Sequence, residues 1–524
     1  MAGFPTLAID KFIQILLNNM FTIILIEQVT EPPEPERKVT NIYSPGTNIQ
    51  YINSDDTPNL ISIYIENIKD IKNYKDIIAV GLSVIDLTTG KSVLYETYSN
   101  KEDTYKAYDE IYRFIQTHNP KEIILNVKSS SLSKEELITY LEINSRNYHY
   151  ISEEHIDKNI TKLSYQRTFL EKVFKNLNKS FLTIHEFLDL ENKIYGTISY
   201  ISLLQFAYEH NENIIQKIEK PKIWESNNYL ILTNDSINQL NLIDYSPNSG
   251  KYDSLFGILN NTSTTLGKRY LKDKLLNPIN NVEILEKRYS YIEELLLKNT
   301  NSVYYYKEIE TYLNKICDIE RLHRKMSLKM LQPADFSMLD ISYRNILNIL
   351  DNIEIFSVES RNINQIIPNK KNLDLFREFI NEYTELFDLN EIMKYHINNI
   401  SNSFFNKNQI KELDTLQDKI KEYRNILLAI ANKLSYYIEK DSEYVKLEFT
   451  DKDGYYLLTT KKRGESIKNS FKNMGYKKIK IPDINLELDP NKLEIKFLKN
   501  SCKITSDYLN SISFKMRNKE EEIK

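Results

Sequence analysis

A long apolar stripe lies between residues 410 and 437. Its members recur in alternating steps of three and four residues, the spacing that places side chains along one face of a helix. This spacing predicts one long helix that packs against a partner along a narrow seam. We expect the partner to be a second stripe near residue 510. The first stripe consists of Ile410, Leu413, Leu416, Ile420, Tyr423, Leu427, Ile430, Leu434 and Tyr437, and the second of Ile504, Tyr508, Ile512 and Met516.

The residues between the two stripes, 441–499, have the pattern of a β-rich module. Apolar and polar residues alternate over 445–450, a turn is predicted at Asp451–Gly454, and Tyr455–Thr460 is the expected returning strand. A one-signed basic segment follows, interrupted only by Glu465. Its members are Lys461, Lys462, Arg463, Lys468, Lys472, Lys477, Lys478 and Lys480.

The basic segment stands out because the chain as a whole is slightly acidic. The formal net charge is -4, from 69 basic and 73 acidic residues, so any nucleic-acid contact must come from a local patch. Runs of charge are usually solvated surface, and that alternative stays open. A basic run on a β-module, in an otherwise acidic chain, favours contact with phosphates.

A second informative stretch, residues 244–289, has the pattern of several short helices. Thr264 or Thr265 is a plausible N-cap, the pair Asn277-Pro278 ends that helix, and Asn281 can cap the next one. Residues 55–160 alternate strand and helix, which predicts a small α/β domain. The stretch 161–405 is mostly helical in pattern.

Two blocks in this region resemble the MutS family of DNA mismatch-repair proteins. The family pattern S-L-L-x-x-L-x-x-T-x-T-x-x-G-x-R-x-L-K appears at 254–272, with its proline at Pro278, and a second pair of family motifs follows at 318–322 and 332–336. Two dispersed blocks in family order are far more specific than one short motif. The matching positions that we assign a structural role in the core are Gly267, Arg269, Pro278, Asp318, Glu320, Arg321, Pro333 and Asp335.

The resemblance implies an α+β multidomain fold that is mainly α. The expected domains are a partial α/β mismatch-binding domain (1–54), a ribonuclease-H-like α/β connector (55–160), a helical core and lever (161–440), a β-rich clamp inserted between lever helices (441–499) and a return lever helix (500–524). Gly3-Phe4-Pro5 and Ser44–Thr47 resemble the second half of the mismatch-binding domain. The family's Phe-x-Glu element, whose ring wedges beside a mispaired base, does not precede Gly3.

The resemblance also implies function. Family members bind duplex DNA, matched or mismatched, and close a clamp over its backbone. Full-length relatives use ATP and Mg²⁺ in an ATPase domain, through which a second MutS-like subunit is expected to pair. No Gly-x-x-x-x-Gly-Lys-Ser/Thr phosphate loop occurs in this sequence. We therefore expect no ATP hydrolysis, no metal and no cofactor in this chain.

Two other function classes stay open. The chain could be a helical scaffold for protein assembly without DNA binding, or a metal nuclease built on Glu66 and Asp86 of the connector. Asp318, Glu320, Arg321 and Arg324 could form a catalytic cluster, but we expect ion pairs at i,i+3 on a helix surface.

The expected location is intracellular and soluble. The cysteines, Cys317 and Cys502, are only two and lie far apart, which supports neither a zinc site nor a disulfide scaffold. The apolar run Phe12–Ile26 is interrupted by Asn18 and Asn19, so no membrane segment is expected.

Overall fold

The computed structural model divides the chain into two compact units. The first contains Met1–Leu331 and Ile341–Pro368, and the second contains Gln332–Asp340 and Asn369–Lys524. The structure describes residues 9–523 except 31–35, 50–56, 70–75, 101, 104, 144–146, 176–181, 225–228, 231, 233, 245–249, 299–301, 357–366, 396–399, 401, 440–442, 451–452, 482–483 and 485. Gly3-Phe4-Pro5 and the first half of the Asp451–Gly454 turn lie outside these residues.

The described elements confirm a mixed α/β chain in which helix predominates and the strands form several small sheets. In the first unit the helices are α1 (Ile9–Asn18), α2 (Lys106–His118), α3 (Lys134–Tyr140), α4 (Leu163–Val173), α5 (Ile184–Phe187), α6 (Ile194–His210), α7 (Asn234–Gln239), α8 (Leu255–Leu259), α9 (Thr265–Leu276), α10 (Val282–Leu295), α11 (Tyr305–Leu313) and α12 (Ile319–Ser327). Its strands are β1 (Ile23–Gln28), β2 (Arg37–Tyr43), β3 (Asn59–Lys69), β4 (Asp76–Asp86), β5 (Lys91–Tyr98), β6 (Glu122–Val127), β7 (Asn147–Ser152) and β8 (Lys222–Ile223).

Helix α13 (Pro333–Phe356) begins in the second unit and ends in the first. The remaining helices are α14 (Lys370–Leu386), α15 (Leu389–Ile392), α16 (Lys411–Tyr436), α17 (Lys461–Asn473) and α18 (Asp507–Ile523). The remaining strands are β9 (Lys446–Thr450), β10 (Gly454–Thr460), β11 (Ile479–Ile481), β12 (Leu486–Leu488), β13 (Glu494–Phe497) and β14 (Ser501–Thr505).

A six-stranded sheet in the order β7-β6-β3-β4-β5-β8 organises the first unit. β3 pairs antiparallel with β4 over its whole length and parallel with β6. Its side chains are buried on both faces: Ile61 and Ile63 pack in one apolar cluster with α2, while Leu60 and Tyr64 pack in another with α6. Burial on both faces explains why the strand reads as a nearly continuous apolar run.

Helix α6 lies closely against the sheet. A Cβ atom at Gly81 would come within 1.8 Å of the Tyr195 carbonyl oxygen, so only glycine permits this approach. Ser199 donates to the Ser62 carbonyl at 2.7 Å across the same contact. Strand β8 also pairs with β5, so the sheet includes residues 222–223, beyond residue 160.

The short helices predicted in 244–289 are confirmed. Thr264 caps α9 by accepting from the Gly267 N–H at 2.9 Å, and Asn281 caps α10 by accepting from Ile284 at 3.2 Å. Their apolar stripes are less buried than the pattern indicates, and Tyr270 is 59% exposed. Local capping therefore fixes these helices, whereas the spacing overestimates their burial.

The long helix of the second unit is confirmed as α16, and α18 is its partner. Ile420, Leu427 and Ile430 of α16 share one core with Ile512 and Met516 of α18. The assignment of Ile504 to this helical partner is wrong. Ile504 lies in β14, where the backbone of 501–505 pairs with both β10 and β13 and so extends the sheet before α18 begins.

The inserted module is a four-stranded sheet in the order β13-β14-β10-β9, with a separate β11-β12 hairpin. The predicted β9–β10 pairing is confirmed, with Tyr455 opposite Phe449. The expectation of a β-like module throughout is wrong for its basic segment, because Lys461–Asn473 forms α17. In the described part of the chain, no helix is long and apolar enough to cross a membrane.

Candidate nucleic-acid interface

Helix α17 begins where the sheet strand β10 ends. Thr460, in extended conformation, occupies the N-cap position, and the helix buries Gly464, Ile467 and Phe471. A Cβ atom at Gly464 would lie 2.5 Å from the Cys502 sulfur, so the glycine lets the helix approach β14 closely. The spacing of Ile467 and Phe471 is one helical turn, which fixes the face that packs and leaves the opposite face in solvent.

The helical spacing sorts the basic residues onto different faces. Lys461, Lys468 and Lys472 are separated by seven and four residues, so their Cβ atoms lie along one exposed face, together with Glu465. At 1.5 Å per residue this stripe spans about 17 Å. Lys462 is also exposed, on the adjacent flank. The lysine face of α17 is hereafter Lys461, Lys468 and Lys472.

Arg463 differs from its neighbours. Its guanidinium carbon lies 3.6 Å from the centroid of the Tyr444 ring, and the residue is only partly exposed. The Tyr444 hydroxyl donates to Glu439 at 2.7 Å, which holds the ring in place. Arg463 is thus engaged in a cation–π contact that attaches α17 to the segment before β9.

The second basic group lies on the β11–β12 hairpin. Ile479 and Ile481 of β11 are buried, so Lys478 and Lys480 are on the opposite, exposed side. Their ammonium nitrogens lie 3.9 and 3.5 Å from carboxylate oxygens of Glu487 on the partner strand. Lys477 precedes the strand and is exposed. One carboxylate therefore partly neutralises this group.

The fold adds a cation that sequence reasoning did not single out. Lys503 of β14 forms an ion pair with Asp453 at 2.8 Å and lies 4.1 Å from the Tyr456 ring centroid. The period-two alternation of 501–505 would have placed it on the exposed face. Because it is paired, it contributes less free charge than the lysine face of α17.

The core motif residues form a salt-bridge cluster around Asp318. Both guanidinium NH₂ groups of Arg269 donate to the Asp318 carboxylate, one of them at 2.9 Å, and one also reaches Glu320 at 3.2 Å. Glu320 in turn pairs with Lys91 at 2.5 Å. Burial alone would raise the pKa of Asp318, but the hydrogen bond and charge of Arg269 outweigh it and keep the pKa below its usual value.

This arrangement corrects the expectation of ion pairs on a helix surface. The i,i+3 pair between Asp318 and Arg321 exists at 3.5 Å, but Asp318 makes its closest contacts with Arg269, from another helix. The Arg269 and Asp318 side chains are only 12% and 15% exposed. The pairing of distant helices could not follow from i,i+3 spacing, which describes neighbours within one helix.

Arg324 is also buried, at 3% exposure, so it is not a surface residue. It donates to the backbone carbonyls of Leu87 at 3.2 Å, Ile214 at 2.6 Å and Gln216 at 2.6 Å. Burial lowers the pKa of its guanidinium to about 10, with opposing contributions from Asp86 and Glu219. Arg324 thereby joins α12 to the loop after β4 and to the segment after α6.

The other motif residues make local structural contacts. The Pro278 carbonyl accepts from Leu230 at 2.8 Å, and Gly267 donates to Thr264, as described above. Pro333 is the first residue of α13, where its missing N–H is not needed. Asp335 accepts from the Gln332 N–H at 3.3 Å. These contacts position helix ends and involve no converging catalytic groups.

The structure separates the carboxylates of the nuclease hypothesis. Asp86 pairs in register with Asn59, whereas Glu66 lies seven residues further along β3, roughly 23 Å away. Asp86 accepts from Thr88 and Thr89 in its own turn, and Glu66 pairs with Lys128 at 2.5 Å. Among the described residues, no group of three or more His, Cys, Asp or Glu could hold a metal ion.

Comparison with known proteins identifies the relatives of this chain. A family model described as MutS domain III matches residues 235–437, and one described as MutS domain I matches residues 1–51. The chain is 34% identical to a putative DNA mismatch repair protein mutS homolog of Acanthamoeba polyphaga mimivirus, over 94% of this chain and 46% of that protein.

Bacterial relatives give the same result. The chain is 30% identical to the DNA mismatch repair protein MutS of Caldanaerobacter subterraneus, over 68% of this chain and 38% of that protein. It is 23% identical to MutS of Finegoldia magna, over 98% of this chain and 56% of that protein. The chain spans about half the length of the curated relatives it matches. These matches and the two family models show that the chain belongs to the MutS family of DNA mismatch repair proteins.

Proposed function

We propose that this chain binds duplex DNA through its inserted module, which acts as the clamp of a MutS-like protein. The observation that carries the proposal is the basic segment 461–480, with eight basic residues and one acidic residue, on a helix and a hairpin whose lysines face solvent. Phosphates along duplex DNA attract such a surface because binding releases condensed counterions. The lysine face of α17 supplies three such cations.

The finer domain assignments are part of this proposal. Strands β3 to β7 of the six-stranded sheet belong to the connector (55–160), α16 and α18 are the lever, and the α/β residues before 55 are a partial mismatch-binding domain. Phosphate contacts fix orientation on the duplex and carry no sequence information. This chain therefore grips matched and mismatched duplexes alike.

The chain itself does not hydrolyse ATP under this proposal. Hydrolysis in phosphate-loop enzymes needs a glycine-rich cradle with a lysine and a Mg²⁺-binding hydroxyl, and the sequence contains no such motif. ATP-dependent steps and pairing with a second MutS-like subunit belong to parts of the relatives that this chain does not span. ATP turnover by the purified chain, free of contaminating ATPase, would contradict the assignment.

A binding assay separates this function from the alternatives. We expect saturable binding of the chain to a fluorescent duplex, measured by anisotropy, with affinity that falls steeply as salt increases. A scaffold without DNA binding predicts no change in anisotropy. A connector nuclease predicts Mg²⁺-dependent cleavage of the same duplex, which gel electrophoresis detects.

A further inference from the structure

A cavity of the first unit carries a concentration of lysines that DNA binding through the inserted module does not use. It lies where the end of α4, the end of α5 and the segment 216–220 meet, and it encloses about 310 Å³. Among the described residues, four lysines line it, namely Lys172, Lys175, Lys217 and Lys220, and no acidic residue does. Its volume is in the range of small-molecule sites, on the order of 300–1,000 Å³.

Carboxylates at the rim compensate only two of these charges. Lys172 pairs with Glu212 at 3.0 Å, and Lys220 pairs with Asp189 at 2.6 Å. Within the part of the chain that the structure describes, Lys175 and Lys217 form no ion pair within 4 Å. The pKa of Glu212 is lowered mainly by the hydrogen bond and charge of Lys172, and to a smaller extent by the charge of Lys175. The cavity thus holds excess positive charge that a bound anion would balance.

The backbone holds one of the two unpaired lysines in a fixed place. Lys217 has a φ of 52°, a left-handed conformation that is uncommon for residues with a side chain. Its carbonyl accepts a hydrogen bond at 3.1 Å from the buried guanidinium of Arg324. The segment that presents Lys217 is therefore anchored to the core of the unit.

Apart from Gln216, the rest of the described lining is apolar. Phe174 and Phe187 border the cavity, and the buried side chain of Ile218 contributes to its floor. The Lys220 nitrogen lies 5.4 Å from the Phe187 ring centroid, so aromatic and cationic groups are adjacent. A matching ligand has an anionic end and a flat apolar part. A nucleotide combines both, since every base has a face that stacks on aromatic rings.

We propose that this cavity binds a nucleotide, with its phosphate on Lys175 and Lys217 and its base against Phe174 and Phe187. The nucleotide is either free or the 5′-phosphorylated end of a DNA strand, because both present the same phosphate and base. The site is independent of the proposed DNA grip, whose residues lie in the second unit.

The test is isothermal titration calorimetry of the whole chain with ADP, adenosine and pyrophosphate. We expect ADP to bind about tenfold more tightly than either fragment, since adenosine lacks the charge-assisted phosphate contacts and pyrophosphate lacks the stacking of the base, and each contributes at about this level. The variant K175Q/K217Q should weaken ADP binding by about tenfold or more. The variant K106Q/K158Q is the matched control, because it removes two exposed lysines elsewhere in the unit.

A second pair of ligands identifies the source of the nucleotide. If a 5′-phosphorylated dinucleotide binds more tightly than both its 5′-hydroxyl form and ADP, the ligand is a DNA end. If ADP binds more tightly than the 5′-phosphorylated dinucleotide, the ligand is a free nucleotide. Equal dissociation constants for ADP in wild type and K175Q/K217Q would overturn the proposal. Adenosine or pyrophosphate binding as tightly as ADP would overturn it as well. Thermal melting of both variants confirms that they fold, and duplex binding by K175Q/K217Q should equal that of wild type.

Discussion

Neutralising the lysine face of α17 is the most informative perturbation of the proposed DNA grip. The variant K461Q/K468Q/K472Q removes three exposed charges and keeps side chains that favour helix. None of the three packs in the buried face formed by Gly464, Ile467 and Phe471. We therefore expect the free energy of unfolding to change by no more than about 0.5 kcal/mol.

The effect on DNA binding is large if all three lysines contact phosphates. Each contact contributes about -0.9 to the slope of log affinity against log salt, so the slope should flatten by about 2.7. At a salt concentration of about 0.1 M the same relation gives about eightfold per contact, or about 500-fold for three. The loss should be equal for duplexes of different sequence, because phosphates carry no sequence information.

Anisotropy titrations of a fluorescent duplex at four or more salt concentrations measure both quantities. The matched control is K370Q/K371Q/K411Q, which removes the same charge from exposed positions at the start of α14 and α16. We expect the control to bind within about twofold of wild type. Parallel salt plots for wild type and the α17 variant would refute the phosphate contacts. An equal loss in the control would show that only net charge matters.

Three further predictions concern individual side chains. R463A should lower the free energy of unfolding by about 0.5–1 kcal/mol in urea titrations through loss of the contact with Tyr444; an unchanged midpoint would contradict that role. R324M should destabilise the chain by at least ~3 kcal/mol, because it leaves buried carbonyls without a donor, and R324K should recover only part; full recovery by lysine would be inconsistent with the multiple bonds described. Burial lowers the pKa of His118 from 6.5 to about 4, against an opposing effect of Asp273. Protonation then favours the unfolded chain between these values, so stability should fall by up to about 3 kcal/mol as pH drops from 6.5 to 4. H118F should remove this dependence, and an identical pH profile for variant and wild type would argue against it.

Local signals in the sequence predicted the elements well. Apolar spacing fixed α16, because a stripe in steps of three and four over 26 residues is incompatible with a strand. Capping side chains fixed the start of α9 and α10, since Thr264 and Asn281 satisfy the first free N–H groups directly. These interactions join residues a few positions apart, and the sequence shows them without knowledge of the fold.

Contacts between distant segments were not predictable in the same way. Spacing placed Asp318 beside Arg321, but the fold brings Arg269 to the same carboxylate. Arg324 was expected on a surface because nothing local indicates that four backbone carbonyls surround it. Ile504 fits the three-and-four spacing of the helical stripe by coincidence. Its backbone pairing with β10 and β13 places it in a strand.

The candidate site was predicted by residue type and corrected by geometry. The charge run from 461 to 480 was evident, but its division between a helix and a hairpin was not. Helical spacing separates Arg463 from the lysine face, since a step of two residues points to a different side. The variant that tests DNA binding therefore substitutes Lys461, Lys468 and Lys472, which share one side of the helix.

Equilibrium binding of the wild-type chain to a plain duplex and to the same duplex with one G·T mismatch decides whether the chain grips DNA through phosphates. Fluorescence anisotropy at moderate salt gives both dissociation constants. We expect saturable binding to each duplex, with dissociation constants within a few-fold of each other, because the grip is through phosphates. Absence of binding, or a tenfold preference for the mismatch, equivalent to about 1.4 kcal/mol, would contradict it.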